Sequence, residues 1–518
     1  MAKHTLTTAA AAAALACLPA LGPAAGGASA TAPGQPAGTG ATAAGPRFVP
    51  GPCPRTPEPI EALATARCGY LEVPENRSRP GGRTIRLAVA VIKPVSAEPA
   101  PDPVVFMAGG PGADTFDDIP FLIESGLNKD RELIVMAQRG NLYDRPNLAC
   151  PEVDRANEKT VAFGWDAKEA ERLLLTAYAE CRNRLTADGT DLSAYNSTEN
   201  AADFADLRTA LGIPQWNVYG YSYGTNLALT YLRLHPRGIR AVGLDSPSPP
   251  QVTVLPWGWS SAREGIDAVF DACAAQPACK SRYPGLRTTL DRQIAELEAR
   301  PLTLNATAPA GGKPVEVVLD GGTLLNMMVG YNVRPVDLPA ALDELGRGNP
   351  QRFAQGRAKD AVQPTGQTAH GLTQSVACAE WVPGTSEPDV LAAGREAFPG
   401  WPRTVLAQAP QLPFEYGVCK AWKVADNAAR HRVATVSSVP ALVISGSFDM
   451  KTGANYAKDA SRTLSRSTSV LVPGIGHWVV PQSKCAQQVL ASFLARPTAP
   501  DTGCVAGLTP QPFTITPK

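Results

Sequence analysis

The chain has 518 residues, with 48 Lys or Arg against 47 Asp or Glu, so its formal net charge is +1. Nucleic acids and acidic membrane surfaces select basic proteins, and this balance argues against either as the main partner. Hydrophobic residues make up 44% and charged residues 18% of the chain, which favours a large folded core over wholesale disorder.

The first thirty residues predict an export signal. An Ala-rich apolar run at residues 6–21 follows a lysine and is too short and too weakly hydrophobic for a membrane span. Ala28-Ser29-Ala30 then fits a small-x-small cleavage site, so residues 1–30 are predicted to be a secretory signal peptide and the protein to be secreted. Lipid attachment at Cys17, which would anchor the protein at the cell surface, is the alternative.

The cysteine count supports export. Ten of the eleven cysteines follow the predicted signal, and an even number in an exported chain indicates disulfides. Sequence does not fix the connectivity, but pairing of neighbours would give 53–68, 150–181, 273–279, 378–419 and 485–504. The sequence has no CxxC pair and few histidines, so we expect neither a metal nor an organic cofactor.

The residues after the signal predict a linker and then a sheet. Residues 31–54 are rich in Pro, Gly and Ala and predict a disordered or extended linker. Residues 69–73 and 84–91 have the pattern of a hairpin. Further on, apolar runs alternate with helical patterns, which predicts an α/β fold with a mainly parallel, doubly wound sheet. The apolar runs are residues 104–107, 133–136, 216–219, 241–244, 441–445 and 469–472, and the helical patterns include 167–185, 198–211 and 225–234.

This alternation breaks between about residues 250 and 440. Helical segments and irregular Pro/Gly-rich pieces fill that stretch. We therefore expect a core formed by residues 55–250 and 439–518, with a helical cap inserted at residues 251–438.

The strongest chemical signal is Gly220-Tyr221-Ser222-Tyr223-Gly224, between a predicted strand and a predicted helix. This is the context of a G-x-S-x-G nucleophile elbow, whose glycines remove Cβ atoms where strand and helix crowd each other. The N-terminus of the helix directs its N–H groups at developing negative charge. The pattern predicts that Ser222 is a nucleophile.

A nucleophilic serine needs a base and an acid. Four histidines follow the predicted signal: His235, His370, His431 and His477. His477 is favoured because it lies in a Gly-rich loop after the last predicted strand. Asp449, after the preceding strand, is the predicted acid that holds the imidazole in one tautomer. Asp245 is the alternative acid.

The oxyanion that forms on the substrate needs two backbone donors. Tyr223, directly after the serine, supplies one N–H. The other is expected from the loop Gly109-Gly110-Pro111-Gly112. Because Pro111 has no N–H, Gly110 is the predicted donor.

Six motifs follow one another in the chain: GGPG at 109–112, QRG at 138–140, GYSYGT at 220–225, CAEW at 378–381, GSFD at 446–449 and GIGH at 474–477. Together they resemble secreted actinobacterial tripeptidyl aminopeptidases and related proline iminopeptidase-like serine hydrolases, over about residues 50–505. The resemblance implies an α/β-hydrolase fold with a helical cap, and an exported exopeptidase or a carboxylesterase relative. It also supports the triad and the two oxyanion donors predicted above, since Ser, Asp and His follow the α/β-hydrolase order.

The sequence departs from that family at three positions. Ala108 stands where iminopeptidases have His before GGPG, Ala137 where many relatives have Asp before QRG, and Gly453 where Pro usually follows Thr. The departures leave the triad intact but leave the substrate open. An aminopeptidase needs a carboxylate to hold the substrate's α-ammonium, since an unpaired buried charge is costly. Glu380 in CAEW is the first candidate for this substrate-binding role and Glu415 the second.

The sequence thus predicts an exported serine hydrolase that forms an acyl-enzyme at Ser222. A cap that restricts access favours release of short N-terminal peptides. One alternative keeps the chemistry but acts on an ester or lactone. The other is a catalytically silent binding module, against which the intact Ser, Asp and His set argues. The expected partner is a peptide or small ester, with no nucleic acid and no integral membrane span, and the oligomeric state does not follow from the sequence.

Overall fold

The computed structural model describes residues 45–79, 81–362 and 366–516. The predicted signal peptide, the alternative lipid site at Cys17 and most of the predicted linker lie outside the described residues. Among the helices that are described, none combines the length and the apolar character needed to span a membrane.

A nine-stranded sheet forms the centre of the described chain, in the order β1-β2-β3-β5-β4-β6-β7-β10-β11. Its strands are β1 (Arg47–Pro50), β2 (Arg67–Pro74), β3 (Thr84–Ile92), β4 (Val104–Met107), β5 (Leu133–Met136), β6 (Trp216–Tyr221), β7 (Ile239–Asp245), β10 (Ala441–Gly446) and β11 (Ser467–Val472). The first four in this order pair antiparallel, and the six from β5 to β11 pair parallel. The predicted hairpin and the mainly parallel sheet are confirmed.

The predicted linker is shorter than expected. β1 lies inside residues 31–54 and pairs antiparallel with β2, so the ordered chain begins before residue 55. Its four residues are only half-buried or exposed, which explains why they lack the apolar pattern of a strand.

Burial on both faces accounts for the apolar strands. Every residue of β4 and β5 is buried, as expected for parallel strands with helices on either side. Val104 and Phe106 belong to one apolar layer, whereas Val105 and Met107 belong to the other. This alternation fixes which way each side chain faces. The parallel pairing brings the carboxyl ends of the strands to one edge.

The helices outside the insertion are α1 (Ile119–Glu124), α2 (Pro151–Thr160), α3 (Lys168–Ala187), α4 (Ser197–Ala210), α5 (Tyr223–Leu234), and, after the insertion, α17 (Ala454–Ser461), α18 (Val479–Gln482) and α19 (Lys484–Ala495). The insertion between β7 and β10 contains α6 (Val254–Ala275), α7 (Pro277–Arg282), α8 (Leu286–Ala299), α9 (Gly321–Val329), α10 (Leu338–Gly346), α11 (Gln351–Ala361), α12 (His370–Val376), α13 (Glu387–Ala397), α14 (Arg403–Leu406), α15 (Glu415–Trp422) and α16 (Ala428–His431). It also contains an antiparallel hairpin of β8 (Leu302–Ala306) and β9 (Val315–Leu319), which the helical prediction missed.

Disulfides join the ten described cysteines in five pairs: 53–68, 150–181, 273–279, 378–419 and 485–504. The neighbour pairing is therefore confirmed. Such a set is characteristic of proteins from oxidising compartments. The 378–419 bridge ties a π-helical turn, Ala377–Trp381, to α15.

Candidate active site

Ser222 lies at a sharp turn between β6 and α5. Its backbone has φ 54° and ψ −127°, a strained conformation for a residue with a Cβ. The turn is so tight that a Cβ on Gly224 would collide with the carbonyl oxygen of Met107, and one on Gly220 would lie 2.5 Å from the oxygen of Gly224. The Ser222 N–H donates to the carbonyl of Asp245 at 2.9 Å. This is the geometry of a nucleophile elbow.

Asp449 and His477 lie at the same sheet edge, after β10 and β11. Nδ1 of His477 is 2.9 Å from Oδ2 of Asp449. Thr452 Oγ1 lies 3.2 Å from both atoms and also donates to the carbonyl of Ser246 at 2.9 Å. The Asp449 carboxylate is buried, while 12% of the His477 side chain is exposed. The structure thus brings the predicted acid and base into direct contact.

The partners of Asp449 favour its ionised form. Burial alone would raise its pKa, but the charge and hydrogen bond of His477 and the N–H groups of Thr452 and Lys451 lower the pKa to about 2. The two N–H groups donate to Oδ1 at 3.0 and 2.9 Å. At neutral pH Asp449 is therefore an anion that can hold the imidazole and stabilise an imidazolium.

Asp245, the alternative acid, has other partners. Its carboxylate accepts the N–H groups of Val479 and Val480, each at 2.8 Å, and the hydroxyl of Tyr219 at 2.9 Å. It thus caps α18 and holds the segment that follows His477 in the chain. Burial raises the pKa of Asp245 to about 6. The structure therefore pairs the imidazole with Asp449 instead.

Ser222 and His477 border neighbouring cavities. Thr452, which contacts the imidazole, lines the same cavity as Ser222, and the His477 ring packs edge-on against Tyr221 with centroids 6.5 Å apart. Between the two described side chains, Ser222 and His477, the structure shows no hydrogen bond. Such contacts are often long before substrate binds.

The predicted oxyanion donors border the serine. Gly110, Ser222 and Tyr223 line one cavity of about 160 Å³, and a Cβ on Gly109 would lie 3.2 Å from the Cβ of Ser222. Two side chains fix this loop. Gln138 Nε2 donates to the carbonyl of Ala108 at 2.9 Å, and Thr373 Oγ1 donates to that of Pro111 at 2.6 Å.

The cap covers this serine cavity with mainly apolar residues: Val254, Leu255, Trp381, Ala409, Pro410 and Leu412. A second cavity of about 440 Å³, here called the histidine cavity, is lined by His477 and by aromatic residues that include Tyr221, Tyr331 and Trp478. Among the described residues that line either cavity there is no Asp or Glu. Neither cavity therefore offers a side-chain carboxylate to a substrate ammonium.

Glu380 is not placed to bind substrate. It is fully buried, and its carboxylate accepts the Ser197 N–H at 2.7 Å and the Ser197 hydroxyl at 2.6 Å. The Ser197 hydroxyl also lies 2.8 Å from that of Tyr223. Glu380 thus caps α4 and supports the elbow from behind.

Glu415 is also buried away from both cavities. Its carboxylate accepts a hydrogen bond from Gln374 Nε2 and lies beside the 378–419 disulfide, with Cys419 Sγ at 3.6 Å. No cation of the described chain pairs with it, and burial raises the pKa of Glu415 to about 7. A substrate-binding role is unsupported for both glutamates, because the fold encloses them.

The remaining histidines lie elsewhere. His235 follows the end of α5, where burial lowers its pKa. Nε2 of His370 is 2.9 Å from a carboxylate oxygen of Asp154, and His431 is buried 3.4 Å from Glu380. None of the three contacts Asp449.

Sequence reasoning missed three residues that shape the site. Thr452 links the acid to the base, while Tyr331 reaches from the end of α9 to the loop after β10, where its hydroxyl donates to the Phe448 carbonyl at 2.9 Å and accepts the Met450 N–H at 2.8 Å. Lys451 lines both cavities. The sequence signal for two of them was their position, since Lys451 and Thr452 lie two and three residues after Asp449.

A mainly parallel sheet with a serine elbow and an acid–base pair at its carboxyl edge defines the chain as an enzyme of the α/β-hydrolase fold, and specifically a serine hydrolase. Residues 102–271 match the family model described as alpha/beta hydrolase fold, and residues 409–506 match the model described as TAP-like protein.

Named relatives agree with this assignment. The chain is 23% identical over 491 residues to the serine protease Hip1 of Mycobacterium tuberculosis, covering 87% of this chain and 89% of that protein. It is 29% identical over 227 residues to the tripeptidyl aminopeptidase of Streptomyces coelicolor, covering 42% and 39%. It is 31% identical over 136 residues to a probable proline iminopeptidase of the same organism, covering 24% and 42%. The resemblance to these actinobacterial enzymes, expected from the motifs, is confirmed.

Proposed function

We propose that the protein is an exported serine peptidase that releases short peptides from the N-termini of its substrates through Ser222, His477 and Asp449. The observation that carries the proposal is the 2.9 Å contact between His477 and a buried, ionised Asp449 at the edge that holds the serine elbow.

The proposed reaction gives each of these groups one role. Ser222 Oγ attacks the scissile carbonyl carbon while His477 Nε2 takes its proton, and the C=O electron pair moves onto the oxygen. The N–H groups of Gly110 and Tyr223 stabilise that oxyanion. The imidazolium, held by Asp449, then protonates the leaving amine as the C–N bond breaks. Water then attacks the acyl-enzyme with His477 as its base, which releases the acyl product and restores the serine.

The cap supports a short substrate. Cap side chains enclose the cavity of about 160 Å³ beside Ser222, and a folded protein could present only a flexible end to such a space. The names of the relatives support a peptide, since one is a serine protease and another a tripeptidyl aminopeptidase. Five disulfides support export, because they persist in oxidising compartments.

A carboxylesterase or lactonase of the same mechanism is the second candidate. One observation favours it: among the described residues, no carboxylate lines the serine cavity or the histidine cavity. An aminopeptidase that fills these spaces would have to satisfy the substrate ammonium with backbone carbonyls or with water.

Matched substrates separate the two candidates. We would compare kcat/KM for Ala-Ala-Ala-p-nitroanilide, its N-acetyl derivative and the p-nitrophenyl ester of the N-acetyl peptide, after correcting each for its uncatalysed rate. The aminopeptidase proposal expects the free-amine anilide to exceed its N-acetyl derivative by at least about tenfold, which corresponds to one charge-assisted interaction. Equal or better cleavage of the N-acetyl anilide, with efficient ester cleavage, would transfer the assignment to the esterase. The Ser222→Ala variant is the control for contaminating activity.

A further inference from the structure

A single lysine borders both cavities of the site. Lys451 lines the serine cavity together with Ser222 and Thr452, and it lines the histidine cavity together with His477 and Tyr331. Its backbone is fixed at two points, since its N–H donates to Asp449 and its carbonyl accepts a hydrogen bond from Gln411 Nε2 at 3.5 Å. The side chain therefore projects from a well-defined position at the boundary between the cavities.

The ammonium of Lys451 lacks an anionic partner among the residues that the structure describes. Its contact is the ring of Tyr331, whose centroid lies 5.7 Å from Nζ, and such a cation–π contact offsets only part of the cost of desolvation. Burial accordingly lowers the pKa of Lys451, and Asp449, engaged with His477, raises it only in part. Lys451 is half-buried, so its ammonium keeps part of its hydration, and a carboxylate of a ligand would supply the counter-ion that the described residues do not.

The other cation at the histidine cavity is already compensated. Nε of Arg334 lies 2.7 Å from Oδ2 of Asp337, and its side chain is 75% exposed. Solvent and Asp337 therefore share its charge, so Lys451 is the cation here that is left to meet a substrate anion.

The chemistry of the triad says which part of the substrate would meet Lys451. The leaving group must lie beside His477, because the imidazolium gives it a proton as the scissile bond breaks. Tyr331 lines the histidine cavity but not the serine cavity, and the ammonium faces its ring. The Lys451 ammonium therefore faces the histidine cavity, which is the space that the leaving group would enter.

We propose that Lys451 determines specificity by binding a carboxylate on the leaving group, so that preferred substrates are short peptides whose departing residue carries a free C-terminal carboxylate. This assignment rests on the proposed function, since it takes the positions of the acyl and leaving groups from the Ser222–His477 mechanism. It is compatible with N-terminal release from short peptides, where the departing part can be a single amino acid.

The test uses substrate pairs that differ only in this charge. The first pair is Ala-Ala-Ala-Gly with a free carboxylate or with a C-terminal amide, scored for release of tripeptide by mass spectrometry. The second pair, 4-acetoxybenzoate and 4-acetoxybenzamide, reports on an esterase as well. The variants are Lys451→Met, Lys451→Arg and, as a matched control, Lys458→Met, which removes an exposed lysine in α17 that lines neither cavity.

The wild type should favour the carboxylate member of whichever pair it cleaves by about 10- to 100-fold in kcat/KM, mainly through KM, as expected for one hydrogen bond between charged groups. Lys451→Met should lower kcat/KM for the carboxylate member at least about tenfold more than for the amide member and so abolish the preference, while Lys451→Arg and Lys458→Met should keep it. Absence of preference in the wild type, or an equal loss on both members in Lys451→Met, would overturn the assignment. If a fluorophosphonate also fails to label Ser222 in the wild type, the proposed function itself fails and the Lys451 assignment with it. Normal labelling without a preference overturns the Lys451 assignment alone.

Discussion

Two neighbouring strand ends carry the same residue in different settings. Asp245 ends β7 and Asp449 follows β10, and the two strands lie side by side and parallel. Both carboxyls are buried, yet the pKa of Asp245 is raised to about 6 and that of Asp449 is lowered to about 2. Position at the sheet edge therefore does not identify the acid of a triad.

The difference lies in the partners. Asp245 is held by neutral donors, two backbone N–H groups and the Tyr219 hydroxyl, which do not overcome the cost of burying its charge. Asp449 contacts an imidazole that can be positively charged. Asp245 fixes the segment after His477, whereas Asp449 contacts the imidazole itself.

The largest expected effect separates these roles directly. Asp449→Asn should lower kcat by about 10⁴, because the amide leaves the imidazole in the wrong tautomer and cannot stabilise the imidazolium. Asp245→Asn should lower it by less than about tenfold, since an amide oxygen can still accept a backbone N–H. Steady-state kinetics on one substrate, with circular dichroism to check the fold, measures both. A larger loss in Asp245→Asn than in Asp449→Asn would reverse the assignment.

A third buried carboxyl extends the comparison to one without any cation. Glu415 has a pKa raised to about 7 by burial. Because the pKa is raised on folding, Glu415 makes its full contribution to stability below its pKa in the unfolded chain, and that contribution is lost as pH rises towards 7. Between pH 5 and pH 8 the unfolding free energy of the wild type should therefore fall by about 2–3 kcal/mol more than that of Glu415→Gln. Urea unfolding at the two pH values measures this.

Glu98→Gln is the control for that experiment, since Glu98 is exposed. It should leave the pH dependence as in the wild type. If the unfolding free energy of Glu415→Gln changed with pH as much as that of the wild type, Glu415 would have a partner or a water that the described contacts do not include.

The same sign holds for Asp245, with a smaller size. Its contribution is present below about pH 4 and is lost as pH rises through its raised pKa of about 6. Between pH 4.5 and pH 7.5 the unfolding free energy of the wild type should fall by about 2 kcal/mol more than that of Asp245→Asn. Asp449, whose pKa is lowered, acts oppositely, since its contribution is lost only as pH falls below about 4 towards 2. A steeper pH dependence in Asp245→Asn would contradict the account.

The smallest expected effect concerns Thr452, which links the acid to the base. Thr452 Oγ1 contacts Asp449, His477 and the carbonyl of Ser246. Thr452→Val keeps the shape but removes these contacts, so kcat should fall by about tenfold, while KM changes little. Thr452→Ser is the control and should retain most of the activity. If Thr452→Val raised KM alone, the residue would act on substrate instead of on the acid–base pair.

The sequence predicted the features that depend on local pattern. Ser222, Asp449 and His477 each follow a short apolar run, and a parallel sheet brings such strand ends to one edge. The features that it missed depend on contacts distant in sequence. Glu380 was a candidate for substrate binding, but Ser197, 183 residues away, occupies its carboxylate.

Lys451 and Tyr331 illustrate the same limit. The Tyr331 hydroxyl and the Phe448 carbonyl are 117 residues apart in sequence, and only the packing of the cap on the core brings the tyrosine ring over the lysine. Half-buried β1 and the short β8–β9 hairpin were missed for another reason, since neither has a continuous apolar run that would distinguish it from a loop.

The most direct test of the account is covalent labelling of the serine. A fluorophosphonate should add one adduct per chain, and peptide mapping should place it on Ser222. The adduct should be absent in Ser222→Ala and should form at least about 10³ times more slowly in His477→Ala, because the hydroxyl then lacks its base. An adduct on another residue, or a rate that does not change without the imidazole, would contradict the account.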